Sequence, residues 1–322
     1  HYEQQLEPAM ALYERLGVHS VKTGYVADAQ GARVAGPDGQ MVMAWHESQA
    51  MAQHHMKVVE AGARHKVAIN AHEPFKDTGL RRTYPNIISR EGQRGMEYSA
   101  WGSPSNPPDH VPNLVFTRLL AGPMDYTPGI FGMETRSPQG IQTTWAKQLA
   151  YYVVIYSPIQ MAADLLVNYE ANPGPFQFIK DVPVDWEESR TLAAEMGDYV
   201  VIARKERGAD IWALGAVTDE HPRVLSASLD FLDAGRRYRA EIYRDGPEAD
   251  YKGKREDIVI EQREVTSADV LTLALAPGGG DLRIVFQYLH RQPNQIVEVD
   301  GVERGQPVLV ALVEQRGLLL AV

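Results

Sequence analysis

The sequence predicts an α/β chain that turns all-β along its length: part of a (β/α)8 barrel followed by an antiparallel β-sandwich. Three observations carry that reading. Over the first half, stretches of helical periodicity alternate with single short apolar runs, the pattern of parallel βα units. Over the second half, apolar and polar residues alternate in period two with turn residues between the runs. The 322 residues also exceed the roughly 250–300 at which single cores stop growing, so one main region and one accessory domain are expected.

From Glu3 to Leu16 the residues Leu6, Met10, Tyr13 and Leu16 recur at helical spacing, and Gly17 follows as a C′ residue before VHSVKTGYV reads as a strand. The order then repeats. ESQAMAQHHMKVVEAGARH is helical with Gly62 near its end, and KVAINAH is a short apolar run of the kind buried in a parallel sheet. NIISR and GPMDYTPGIF are two further short strand candidates. TTWAKQLAYYVVIYSPIQMAADLL opens with threonines suited to an N-cap and reads as one buried helix, with Trp145, Leu149, Tyr152, Val153 and Tyr156 on one side. Only about four barrel-type strands are visible where a closed barrel needs about eight, so the early barrel is expected upstream of His1. With no initiator Met and no charged-then-apolar leader, the start itself reads as a cut.

Pro173, Gly174 and Pro175 suggest a boundary region, beyond which the period changes. The expected domains are 1–188 for the barrel part and 189–286 for the sandwich, leaving 287–322 as an extension of unknown role. The sandwich strands are read from DYVVIARKERGADIWALGAV, RVLSASLDFLD, RYRAEIYRDG, DIVIEQREV and DVLTLALAPGGGDLRIVF. APGGG, Ala276 to Gly280, lacks the Lys-Ser/Thr of a phosphate loop and a following helix, and is read as a turn.

A net charge of −10 argues against a nucleic-acid partner. The absence of cysteine excludes disulfides and thiolate metal sites, so any zinc site would need His and carboxylates. The most apolar long run carries Lys147, Gln148, Pro158 and Gln160, which argues for burial in protein and against a membrane span. His54 and His55, in the helix with Met51 and Val58, are read as partly exposed or structural and not as metal ligands.

Candidate chemistry concentrates in NAHEPFKDTGLRRTYPNIISREGQRGMEYSAW, which sets Glu73, Glu91 and Glu97 among His72, four arginines, Tyr84, Tyr98 and Trp101. Glycoside cleavage needs one acid to protonate the leaving oxygen and a second carboxylate as base or nucleophile. His72 and Glu73 follow the strand KVAINAH, and in parallel barrels that C-terminal edge is where catalytic groups gather. Gly92 and Gly95 would let the chain between Glu91 and Glu97 turn tightly enough to bring both to one rim. A solvated loop with Arg90 and Arg94 in surface ion pairs is the competing reading. Three carboxylates without thiolates favour a hard cation, calcium before zinc.

This stretch, continued by NPPDHVPNLVFTRLLAGPMDYTPGIF, resembles glycoside hydrolase family 97, a family of α-glucosidases and α-galactosidases found mainly in bacteria. The likeness continues through FQFIKDVPVDWEESR and GDYVVIARK to LALAPGGGDLRIVF, covering residues 1–286. It implies an N-terminal β-sandwich, a catalytic (β/α)8 barrel and a C-terminal β domain, with the first of these and the early barrel missing from this stretch. It further implies that Glu97, in GMEYSAW, is the general acid, and that Glu73, in AHEP, serves with Glu3, in HYEQQ, as general base. Calcium would be held by Glu73, Glu91 and Glu97 with a fourth glutamate from the N-terminal domain. His1 and His72 match sugar-binding histidines, and Lys22 is a further substrate-binding candidate.

Retaining members of that family carry an Asp nucleophile at the end of the strand that here reads VKTGYV, and inverting members carry Gly. Gly24 stands there, and nearby Asp28 is not read as a substitute. An inverting site separates its carboxyls by about 6.5–9.5 Å to admit water, whereas a retaining one holds them about 5–5.5 Å apart. The resemblance thus implies an inverting, calcium-assisted α-glucosidase acting on α-linked gluco-oligosaccharides, in a periplasmic or extracytoplasmic setting. A retaining α-galactosidase and a catalytically incompetent carbohydrate-binding fragment are the alternatives.

Overall fold

The computed structural model describes residues 2–24, 32–45, 47–287 and 318–320. The sugar-binding role expected of His1, the neighbouring Asp28 and nearly all of the 287–322 extension therefore lie outside the described residues. The first half runs α1 (Tyr2–Leu16), β1 (Ser20–Thr23), the hairpin β2 (Ala32–Ala35) and β3 (Met41–Ala44), α2 (Gln49–Arg64), β4 (Ala68–Ala71) and β5 (Ile87–Arg90). Short helices α3 (Tyr98–Trp101) and α4 (His110–Leu114) follow, then α5 (Trp145–Val154), β6 (Gln160–Ala162), α6 (Leu166–Ala171) and α7 (Pro173–Asp181).

Helix α1 ends where expected: Gly17 takes φ 73°, and Val18 N–H donates to the Tyr13 carbonyl at 2.9 Å. Ser48 caps α2 by accepting from Met51 N–H. Leu6 and Met10 of α1 and Val58 and Ala61 of α2 pack on Val21 and Ile69, burying one face of a parallel sheet in the order β1-β4-β5. Covered strands joined through helices are the arc of a (β/α) barrel.

Several readings of the first half are corrected. The run from Thr143 to Leu166 is not one helix: α5 ends at Val154, Ile155 is extended, and Gln160–Ala162 form β6, with Leu318–Leu320 (β15) parallel to it. Apolarity alone does not separate a buried helix from a buried strand, and Pro158 interrupts the helical register. Nor has α5 one apolar side, because every residue from Ala146 to Val154 is buried between the barrel part and the sheet that follows. Pro173, Gly174 and Pro175 are not a linker but the first turn of α7, where a missing N–H is harmless.

The second half is antiparallel. Strands β7 (Trp186–Glu195), β8 (Tyr199–Glu206), β9 (Ile211–Thr218), β10 (Arg223–Ser228), β11 (Tyr238–Asp245), β12 (Ile258–Val265), β13 (Val270–Leu275) and β14 (Gly280–Gln287) form two layers. One is a six-stranded sheet in the order β12-β11-β14-β9-β8-β7, and the other is the pair β10-β13. Strand β13 buries Leu271, Leu273 and Leu275 against Val201, Trp212, Leu214 and Ile242 of the large sheet. The opposite face of that sheet carries α5, which is why β9 is buried along nearly its whole length. APGGG is the turn between β13 and β14, with Gly279 N–H bonded to the Ala276 carbonyl.

Candidate active site

Parallel register builds the site. Thr23 lies opposite Ala71 and Ala71 opposite Arg90, so the residues that follow these strands emerge side by side: Gly24, then His72 with Glu73, then Glu91. Backbone bonds extend the row by one residue per strand. His72 N–H donates to the Thr23 carbonyl at 2.6 Å, Glu91 N–H to Ala71 at 2.9 Å, and Asp125 N–H to Arg90 at 2.9 Å. The segment GPMDYTPGIF thus occupies the next place in the row, but it forms no ladder and is not the strand expected from its sequence. Pro123 and Pro128 have no N–H to give.

Glu73 holds φ 46°, a left-handed conformation that non-glycine residues seldom adopt. Its carboxylate lies against Gly24: a Cβ built there would stand 3.3 Å from Glu73 Oε2 and 3.2 Å from His72 Cβ. Gly92, at φ 74°, turns the chain after Glu91, and Met96 N–H bonds the Tyr126 carbonyl at 2.9 Å, bringing Glu97 back to the rim. Ligand atoms of His72, Glu91 and Glu97 lie within 4.8 Å of one another. Glu73 joins through its N–H, which reaches Glu91 Oε2 at 3.4 Å. Burial pushes the Glu91 carboxyl above its ordinary pKa, and the charges of Glu73 and Glu97 act in the same direction against the opposing pull of His72. Crowded acidic groups of this kind can take a hard cation, which relieves their repulsion.

Behind the rim stands Asp125, fully buried and absent from the sequence-derived set. Its Oδ2 accepts from His72 Nε2 at 2.6 Å and Asn70 Nδ2 at 2.7 Å, with Lys22 Nζ at 3.7 Å. Burial alone would raise its pKa, but the His72 hydrogen bond and the Lys22 charge outweigh it and hold the carboxyl below its usual range. An ionised Asp125 keeps the His72 proton on Nε2 and turns Nδ1 towards Glu91 Oε2, 3.4 Å away. Arg118 supports the same edge, donating to the carbonyls of Arg90 and Glu91. Arg90 and Arg81 both pair with Asp77 and so hold the loop after Glu73.

The structure therefore brings together His72, Glu73, Glu91 and Glu97, and ties Lys22 to them through Asp125. Glu3 is placed elsewhere: in the first turn of α1 its carboxylate holds His54 Nδ1 at 2.6 Å and Lys57 Nζ at 2.9 Å. His54 and His55 are both buried, which corrects the expectation of partial exposure and leaves the structural role. The one sequence signal for Asp125 was a lone acid inside the apolar run GPMDYTPGIF.

Two family profiles match the chain: "Glycoside hydrolase 97" over residues 1–93 and "Glycosyl-hydrolase 97 C-terminal, oligomerisation" over residues 185–285. A family 97 enzyme from a Pseudoalteromonas species, solved in complex with acarbose, superposes with a TM-score of 0.83 at 52% identity, covering 89% of this chain and 45% of that one. The chain belongs to glycoside hydrolase family 97. A variant of the same Pseudoalteromonas enzyme, 51% identical to this chain, was solved in complex with panose. Among curated family relatives, a retaining alpha-galactosidase of Bacteroides thetaiotaomicron is 31% identical over 287 residues, or 87% of this chain. A probable retaining alpha-galactosidase of Streptomyces bingchenggensis is 27% identical over 283 residues, or 86% of this chain. The family 97 chain described here spans 40% and 38% of those two relatives.

Proposed function

We propose that this chain carries the acid–base machinery of a glycoside hydrolase that cleaves α-glucosidic bonds of gluco-oligosaccharides with inversion. The observation that carries the reading is Gly24. At the end of β1 it offers no carboxylate to attack an anomeric carbon, and the carboxylate that lies beside it belongs to Glu73, which in this reading takes a proton from water. In this reading Glu97 protonates the glycosidic oxygen while Glu73 deprotonates the water that attacks from the opposite face. His72 and Lys22, both held by Asp125, orient sugar hydroxyls. Glu3 keeps its pairing with His54 and Lys57, and no step is routed through it.

Glu73, Glu91 and Glu97, with His72 beside them, would hold calcium. When bound, such an ion supplies electrostatic stabilisation and fixes the carboxylates in place. Support comes from the ligand atoms of His72, Glu91 and Glu97, which lie within 4.8 Å of one another. The panose and acarbose complexes of the Pseudoalteromonas enzyme support an oligosaccharide substrate.

The names of the curated relatives favour a second reading, a retaining α-galactosidase. Proton NMR of the first-formed sugar distinguishes the two. We expect the β-anomer to appear first from an α-glucoside, and early α-product would overturn inversion.

A further inference from the structure

Trp101 leaves 64% of its surface exposed one helical turn after Glu97, and the carboxylate chemistry above does not call for an indole there. Glu97 has helical backbone angles (φ −59°, ψ −29°), and Ala100 N–H donates to its carbonyl at 2.9 Å. The chain is thus helical from Glu97 to Trp101, and residues four apart on a helix share a face.

The indole also stands on a rigid base. Its ring packs edge-to-face on Tyr98, centroid to centroid 4.7 Å at 66°. The Arg94 guanidinium lies 4.8 Å from the Tyr98 ring centre, and a Cβ at Gly102 would overlap that ring, so glycine there lets tyrosine lie flat on the backbone. Helix α3 is in turn tied down: the Ala100 carbonyl accepts from Arg136 and Ser137 N–H at 3.0 and 3.2 Å, and Ser99 Oγ accepts from Asn106 N–H at 3.2 Å. A large aromatic ring held rigid yet open to water has paid its ordering entropy before any ligand arrives.

We propose that Trp101, braced by Tyr98, is the platform on which the leaving-group sugar of an α-linked oligosaccharide stacks. The inference rests on the hydrolase reading, in which Glu97 protonates the leaving oxygen: whatever is attached to that oxygen must lie on the Glu97 side, where the indole is. The apolar face of a pyranose covers an indole plane, whereas a fluoride leaving group has nothing to stack. Trp101 is therefore a positioning residue that sets the preference for a sugar over a small aglycone.

The test compares maltotriose with α-glucosyl fluoride in the full chain. Trp101→Ala should lower kcat/KM for maltotriose about ten-fold, mainly through KM, and leave the fluoride unchanged, while Trp101→Tyr restores most of the loss. Equal losses on both substrates, or none on maltotriose, overturn the proposal. A second arm does not depend on turnover: maltotriose should alter the indole fluorescence of the wild type but not of Trp101→Phe. If the wild type turns over neither substrate yet shows that difference, the hydrolase reading falls and the subsite stands. If the difference is absent, the subsite falls.

Discussion

The rim at the ends of β4 and β5 and the seam between α5 and the large sheet both bury charged side chains, and they treat them in opposite ways. At the seam every charged group has its own partners. Asp245 accepts from Thr144 Oγ1 at 2.6 Å and from the N–H groups of Ala276 and Gly280 at 2.9 and 2.8 Å. Lys147 Nζ donates to the carbonyls of Pro108 and Thr218 at 2.6 and 2.5 Å. At the rim, Glu91 faces Glu73, Glu97 and His72, and among the described residues its carboxylate has contacts of 3.4 Å to His72 and to the Glu73 N–H. Charges satisfied inside the chain belong to the architecture. Acidic groups left facing one another are where the proposed cation and substrate would bind.

The contrast can be broken most directly at its functional end. Replacing the rim acid, Glu97→Gln, should lower kcat on α-glucosides with poor leaving groups by roughly 10³-fold, within the range of a lost general acid. The melting temperature should hold, because Glu97 is exposed. Near-normal turnover would remove Glu97 from the chemistry.

A smaller effect is expected one layer back. Asp125→Asn takes away the negative charge that orients His72 and Lys22, and should reduce kcat/KM by about 10–100-fold, as for other outer-shell partners. Loss of calcium affinity in parallel, followed by calorimetry, would tie the histidine to the ion. Unchanged kinetics would mean that the rim keeps its geometry without this anchor.

The seam should respond in stability alone. Burial raises the Asp245 pKa to about 7 from an ordinary 3.8, and its hydrogen bonds only partly offset this. Because the folded-state value is the higher one, the folded protein binds the proton more tightly, so this group destabilises the fold progressively as pH rises from about 4 through 7. Asp245→Asn should therefore flatten the dependence of Tm on pH between about 4 and 7 while leaving turnover at the optimum unchanged. A parallel loss of activity would show that the seam and the rim are coupled.

Much of the fold was legible because it is local. Helix α1 with its Gly17 stop, the threonine cap of α5 and the alternation of β13 all sit in contiguous windows that can be read without tertiary contacts. The helix that breaks into α5 and β6 was not legible, since a segment covered on both sides shows no period to read. In the site, Glu73, Glu91 and Glu97 were found because one short stretch holds them all. Asp125 was missed because its partners Asn70 and His72 lie 55 and 53 residues away, and no spacing rule links them. Glu3, close in type to the others, was placed by the structure in pairs with His54 and Lys57.

By itself, then, the sequence determined which residue types are present, where each period begins and ends, and that Gly24 brings no carboxylate. The tertiary structure alone decided which acids share one field: parallel register carries His72, Glu73 and Glu91 to adjacent strand ends and a backbone bond to Arg90 sets Asp125 beside them, whereas the turn of α1 directs Glu3 to α2. The reason is physical. Periodicity is a property of neighbours along the chain, while a pKa and a hydrogen bond depend on distance through space.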